Sequence, residues 1–212
     1  MVTKKAIFFF IPYKLKQELV KMGNTKGERG NGMALHVIVC DYSSEWPVQF
    51  EKEARVIQSL LKDNCLAIYH IGSTSIPGMK AKPIIDIMPV VQNLEEVEAL
   101  IPEFEKLGYE FMGEFGLPGR RYFRKGGDAR THHVHIYQVD NRYEIERHLA
   151  FPYYLQAHPL KAKEYALLKE NLALQYPYDI VSYNAGKDPF IKQLEREALH
   201  WAYKEGISLN QA

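Results

Sequence analysis

Residues 70–87, HIGSTSIPGMKAKPIIDI, decide how the rest of this sequence reads. An apolar stretch over 66–71 has strand character and runs into Gly72-Ser73. A loop carrying Pro77 and Gly78 follows. A second apolar strand over 83–91 then holds one carboxylate, Asp86, in its middle. An unpaired charge taken out of water costs several kcal/mol, so a strand Asp has to be matched by a cation, hydrogen bonds or a metal. Where the first strand stops, the Gly-Ser step offers backbone N–H groups and a hydroxyl, a combination suited to phosphate. A phosphate cradle beside a metal carboxylate is the simplest reading of the pair.

These residues also carry a family resemblance. A Gly-Ser turn after an apolar strand, then a carboxylate on the next strand with Thr74 to Ile85 between, resembles the nucleotidyltransferase superfamily. The longer string GSTSIPGMKAKPIIDI resembles the GrpB family, a branch of that superfamily, and the similarity runs over about residues 37–203. The resemblance implies an α+β fold: a mixed sheet flanked by helices, with a helical C-terminal portion. It implies Gly72 and Ser73 on the phosphates of a nucleoside triphosphate, Asp86 as a catalytic carboxylate on a divalent metal, and nucleotidyl transfer to a small acceptor. Such a metal neutralises the anionic transition state and aligns the attacking oxygen.

Most active superfamily members carry a second acid two residues on, on the same strand face. Here that position is Met88. One carboxylate holds a divalent ion weakly, so the alternative is a degenerate module that binds a ligand or protein partner without chemistry. GrpB-like domains also occur fused to dephospho-coenzyme A kinases, which implies an accessory role near coenzyme A synthesis.

The stretch THHVHIY places His133 and His135 on one strand face, about 7 Å apart at ~3.3–3.4 Å rise per residue. Two such imidazoles can converge on one ion or one phosphate, and His70, of the same parity as Gly72, is a candidate to join them. Imidazole ligands move metal preference from Mg²⁺ toward Mn²⁺ or Zn²⁺. His135 is also a candidate general base. Lys82 and the basic run Arg120, Arg121, Arg124, Lys125 are candidates for phosphate. Arg120 and Arg124 share a face, and guanidinium suits bidentate phosphate contacts. The competing reading of this run is a charged edge strand that guards against aggregation. The stretch FPYYLQAHPLKAKEYALLK resembles the family's helical segment, with His158, Pro159, Tyr165 and Lys169 matching. Pro152, Tyr153 and Gln156 replace charged residues common there. Tyr183 and Lys187 match too, and Lys187 is a further phosphate candidate.

Elsewhere the periodicity predicts a short strand over 36–39, amphipathic helices over 48–62 and 94–107, and strands over 109–112, 120–124 and 133–139. Helices are expected over 143–157, 160–175 and 188–205. Residues 1–32 fall outside the resemblance and read as an extension, with a glycine-rich linker over 24–32. The family-like domain starts at Met33, and a short helix over 13–22 is the alternative for the extension. The opening MVTKKAIFFFIP has too short an apolar run for a signal peptide.

The chain has 212 residues, 46% apolar and 25% charged, as expected of one globular domain. A net charge of +1 argues against a general nucleic-acid binder. No membrane segment is evident, and Cys40 and Cys65 form no disulfide framework, so a reducing cytoplasm is the expected location.

Overall fold

The computed structural model describes residues 36–209. The expectations for the extension, its linker, its short helix and a domain start at Met33 lie outside the described residues.

Helix α1 (Glu45–Leu61) leads through a single 3-10 turn into β1 (Cys65–Ile71). The signature loop follows, then β2 (Ile85–Val91), α2 (Leu94–Ala99) and α3 (Ile101–Lys106). Three strands come next: β3 (Tyr109–Phe111), β4 (Arg120–Lys125) and β5 (His132–Gln138). The chain ends in α4 (Arg142–Ala157), α5 (Pro159–Gln175) and α6 (Ile180–Lys204). The sheet order is β1-β2-β5-β4-β3. Every neighbouring pair is antiparallel except β2 and β5. That one parallel pair requires a crossover, which α2, α3 and the β3–β4 hairpin supply.

Strand alternation divides the sheet residues between two cores. Ile85, Ile87, Val91, Val134, Ile136 and Phe123 face α1, α2 and α3, meeting Trp46, Ile57, Leu61, Val97 and Phe104. On the other face Met88, Val90 and Tyr137 meet the C-terminal helices at Ile145, Leu149, Leu155, Leu194 and Ala198. Asp86 has the parity of Met88 and Val90, so it stands at the end of the row that faces the helices. Met88 itself is fully buried there and presents nothing to a ligand.

Three elements differ from expectation. The segment 36–39 makes no strand; it is irregular chain, held by Val37 N–H on the Pro177 carbonyl (2.8 Å) and by a bridge between Cys40 and Ala81. The expected helix over 94–107 is two helices, because Pro102 in the first turn of α3 has no N–H for a continuous ladder. Helix α6 starts well before residue 188: the Asp179 carboxylate accepts from the N–H groups of Val181 (3.1 Å) and Ser182 (3.0 Å) and caps it there. Pro189 then lies in the helix interior rather than in its first turn. Among the described residues no helix is long and apolar enough to cross a membrane.

Candidate phosphate and metal site

The register of the parallel pair makes the site. Asp86 on β2 pairs with His133 on β5 and, on its other side, with Ile71 on β1. Partners opposite each other in a sheet point to one face, so Asp86, His133 and His135 converge. His133 Nδ1 lies 3.2 Å and His135 Nε2 3.3 Å from the same oxygen, Asp86 Oδ1. Burial pushes the Asp86 carboxyl up, but the two imidazoles outweigh it and hold the group well below the usual carboxylate range. It is therefore an anion at neutral pH.

Gly72 is required by the same packing. Its φ is +70°, and a Cβ there would sit 2.6 Å from Asp86 Oδ2. Only glycine tolerates both the left-handed backbone and the approach of the carboxylate. Ser73 follows, and its hydroxyl accepts a hydrogen bond from Lys169 Nζ at 3.1 Å. A pocket of about 210 Å³ opens above this turn, and its lining includes Gly72, Ser73, Asp86, His135, Tyr165 and Lys187. Arg147 also lines it, but Glu144 (2.5 Å) and Glu195 already neutralise that guanidinium.

The expected candidates separate sharply. Lys187 lines the pocket, and Lys82 lies beside it: their ammonium groups stand 5.1 and 5.4 Å from the centre of the Tyr183 ring. Burial lowers the Lys187 amine to about 8, with Lys82 adding to the fall and Asp86 opposing it. Lys82 is lowered for the same first reason. Arg120, by contrast, is buried and spent on the protein: it donates to the carbonyls of Glu114 (3.2 Å) and Phe115 (2.9 Å) and meets His135 Nδ1 at 3.2 Å. Arg121 lies on the opposite face against Glu98 (2.5 Å), and Arg124 forms a two-pronged pair with Glu110 (2.6 and 2.8 Å). His70 does not join the other histidines. It pairs with Ile87, hence faces α1, where it stacks on Phe50 (4.8 Å between ring centres) and meets Thr74 Oγ1 at 3.0 Å. Burial lowers it to about 4, against the pull of Asp86.

Asp86, His133 and His135 are also the one group of possible metal ligands among the described residues. The 3.2 and 3.3 Å separations suit donors of a single ion: ligands ~2.0–2.1 Å from a tetrahedral Zn²⁺ stand about 3.3–3.4 Å apart. The three do not fit equally well. A guanidinium only donates, so Arg120 makes His135 Nδ1 an acceptor and leaves the ring proton on Nε2, pointing at Asp86. His135 therefore serves Asp86 as a hydrogen-bond donor. His133 also donates to Asp86, from Nδ1, but its other nitrogen, Nε2, is buried and meets no donor, so the ring proton can move there and free Nδ1 for an ion. Asp86 and His133 fit a divalent ion, and His135 fits it less well.

Sequence reasoning passed over two residues. Lys169 shows in the sequence only as a match to the family's helical segment, yet α5 delivers its amine to Ser73. Arg130 lies in the loop before β5, its Nε buried without a partner and its charge felt at Lys82 and Tyr122.

Comparison with known proteins agrees with this architecture. The family model described as GrpB protein matches residues 36–197. A crystal structure of the conserved protein GrpB from Enterococcus faecalis superposes with a TM-score of 0.76 at 54% identity, covering 78% of this chain and 99% of that one. The UPF0157 protein YqkA of Bacillus subtilis is 48% identical over 160 residues, covering 76% of this chain and 46% of its own length. The glutamate-rich protein GrpB of Alkalihalophilus pseudofirmus is 34% identical over 181 residues, covering 83% of this chain and 99% of its own. More distantly, a dephospho-CoA kinase of Mycolicibacterium paratuberculosis is 26% identical, with 46% of its length covered. The chain thus spans about half of some relatives and nearly all of others. The fold is α+β and nucleotidyltransferase-like.

Proposed function

This chain belongs to the GrpB family, and we propose that its pocket binds the phosphate end of a nucleoside triphosphate or another phosphorylated small molecule, together with a divalent ion. One observation carries the reading. Lys82, Lys169 and Lys187 gather around the Gly72-Ser73 turn, and none of them has an ion-pair partner among the described residues. Cations kept from water and unmatched by the protein are stabilised by an anion that arrives from outside. In this reading Ser73 and the turn meet the phosphate, Lys187 and Lys82 neutralise it, and Asp86 with His133 holds the ion. Mg²⁺, Mn²⁺ and Zn²⁺ are the candidates. When bound, the ion supplies charge neutralisation on phosphate and alignment of an attacking oxygen.

Nucleotidyl transfer to a small acceptor is the chemistry this arrangement fits, with Asp86 as its carboxylate. A second reading, binding without transfer, draws on Met88: the second acid's position is filled by a fully buried methionine. That reading includes a role accessory to coenzyme A synthesis, as the name of the distant relative suggests.

A thermal-shift series tests the proposal, using nucleoside triphosphates and coenzyme A precursors with Mg²⁺, Mn²⁺, Zn²⁺ or chelator. A ligand at 100 times its Kd adds about 2.7 kcal/mol, or roughly 5–10 °C for a domain of this size. Wild type should gain this from at least one phosphorylated ligand, and more with metal than with chelator. Asp86→Asn should lose the metal-dependent part and keep the rest. No shift with any phosphorylated ligand would overturn the proposal.

A further inference from the structure

Lys169 is an amine set beneath the Gly72-Ser73 turn with nothing negative in contact with it. It is 2% exposed. Its Nζ donates to the Ser73 hydroxyl at 3.1 Å and to the Lys80 carbonyl, and lies 4.3 Å from the centre of the Tyr165 ring. The surrounding groups are few. The signature loop contributes that hydroxyl and carbonyl, while the Lys80 ammonium turns away to Asp41 and Glu170, at 2.8 Å each. Its own helix contributes Tyr165, whose hydroxyl burial pushes up and out of the titrating range, and Glu170, which Lys80 already engages. Helix α6 contributes Lys187, a like charge. Burial, with Lys187 adding to it, lowers the Lys169 amine to about 7, so above neutral pH the empty pocket holds it mostly uncharged.

A phosphate at the turn changes this balance. An oxygen accepting from Ser73 Oγ at about 2.7 Å stands no more than about 5.8 Å from Nζ, given the 3.1 Å between Ser73 and Lys169. At that range, and at an effective dielectric of ~20, each negative charge raises an amine's titration by roughly two pKa units. A dianion therefore keeps or recruits a proton on Lys169 far more strongly than a monoanion.

On the phosphate reading above, we propose that Lys169 is the specificity-determining residue of the pocket, selecting fully ionised, dianionic phosphate groups by taking up a proton when they bind. The substrate class is then a terminal phosphate, as in a phosphate monoester or the end of a polyphosphate chain. Internal phosphodiesters, which carry one charge, are excluded. Lys169 does not touch the ligand in this account; it acts through Ser73 and through its charge.

The test measures affinity for inorganic sulfate against pH, in chelator, by calorimetry or by competition. Sulfate is a dianion with no proton of its own between pH 6.5 and 9, so any proton taken up belongs to the protein. Wild type should lose affinity 5- to 10-fold per pH unit above about 7.5, and should prefer sulfate to methanesulfonate by more than 10-fold at pH 7. Lys169→Met should bind sulfate at pH 6.5 at least 10-fold more weakly than wild type does at the same pH. It should lose most of the preference over methanesulfonate, and keep only the shallower pH dependence owed to Lys187. Lys169→Arg, charged throughout, should show no more than that same shallower dependence up to pH 9. A flat wild-type profile, or equal slopes in wild type and Lys169→Met, would overturn the role of Lys169 and leave the phosphate site standing. No sulfate binding at any pH would overturn both.

Discussion

Two sets of cations lie within this fold, and they are treated in opposite ways. Along β4 three of the four charges have a carboxylate, Arg121 on Glu98 (2.5 Å), Arg124 on Glu110 (2.6 Å) and Lys125 on Glu53 (2.8 Å), and the fourth, Arg120, is held by the carbonyls of Glu114 and Phe115. Around the signature turn Lys82, Lys169 and Lys187 have none in contact among the described residues: Lys82 and Lys187 lie near Asp86 and the Tyr183 ring, and Lys169 lies on the Tyr165 ring, the Ser73 hydroxyl and the Lys80 carbonyl. The first set ties strands and helices together and is complete. The second is electrostatically unfinished, with its amines pulled down by burial and mutual repulsion. A basic residue is thus informative about function only when the fold has failed to pair it.

The contrast can be broken by substitution. The largest effect is expected at Gly72, which holds the turn against Asp86. Gly72→Ala forces a left-handed Ala and a Cβ 2.6 Å from Asp86 Oδ2. It should cost about 3–4 kcal/mol in urea unfolding. Next is the paired set. Lys125→Met leaves buried Glu53 with only the Tyr109 hydroxyl at 2.8 Å. It should cost about 2–3 kcal/mol of stability and leave ligand affinity unchanged.

Lys169 should behave in the reverse sense. Its amine is near 7 in the folded protein, against ~10.4 when free. Between these values the unfolded chain binds more protons, so this residue's burden is largest at and below neutral pH and fades as pH rises toward 10. Lys169→Met should therefore be more stable than wild type by about 2 kcal/mol at pH 7, with the difference shrinking at pH 9. An equal difference at both values would show that its charge is not the cause. The smallest effect belongs to Arg124→Met: its partner Glu110 is more than half exposed, so under about 1 kcal/mol is expected.

Much of this was legible in the sequence, for local reasons. The Gly-Ser turn, the lone strand Asp and the shared face of His133 and His135 follow from chain direction and strand parity. So does the placing of Arg120 and Arg124 on one face, away from Arg121. What could not be read was what each side chain meets. His70 needed the register of β1 on β2, which turns it toward Phe50. Arg120 looked like a ligand group until the chain before β4 offered it the carbonyls of Glu114 and Phe115. Lys169 looked like any helical lysine, and only the docking of α5 on the signature loop, across 96 residues of sequence, gives it meaning. Pairing is tertiary information, whereas parity is local.

The most direct measurement is calorimetric titration of a nucleoside triphosphate, with and without Mn²⁺, into wild type and two double variants. Lys82→Met/Lys187→Met removes unpaired charge, and Arg121→Met/Arg124→Met removes paired charge. The account predicts that the lysine pair loses at least tenfold in affinity, about 1.4 kcal/mol, while the arginine pair binds like wild type. Loss in the arginine pair with binding intact in the lysine pair would contradict it.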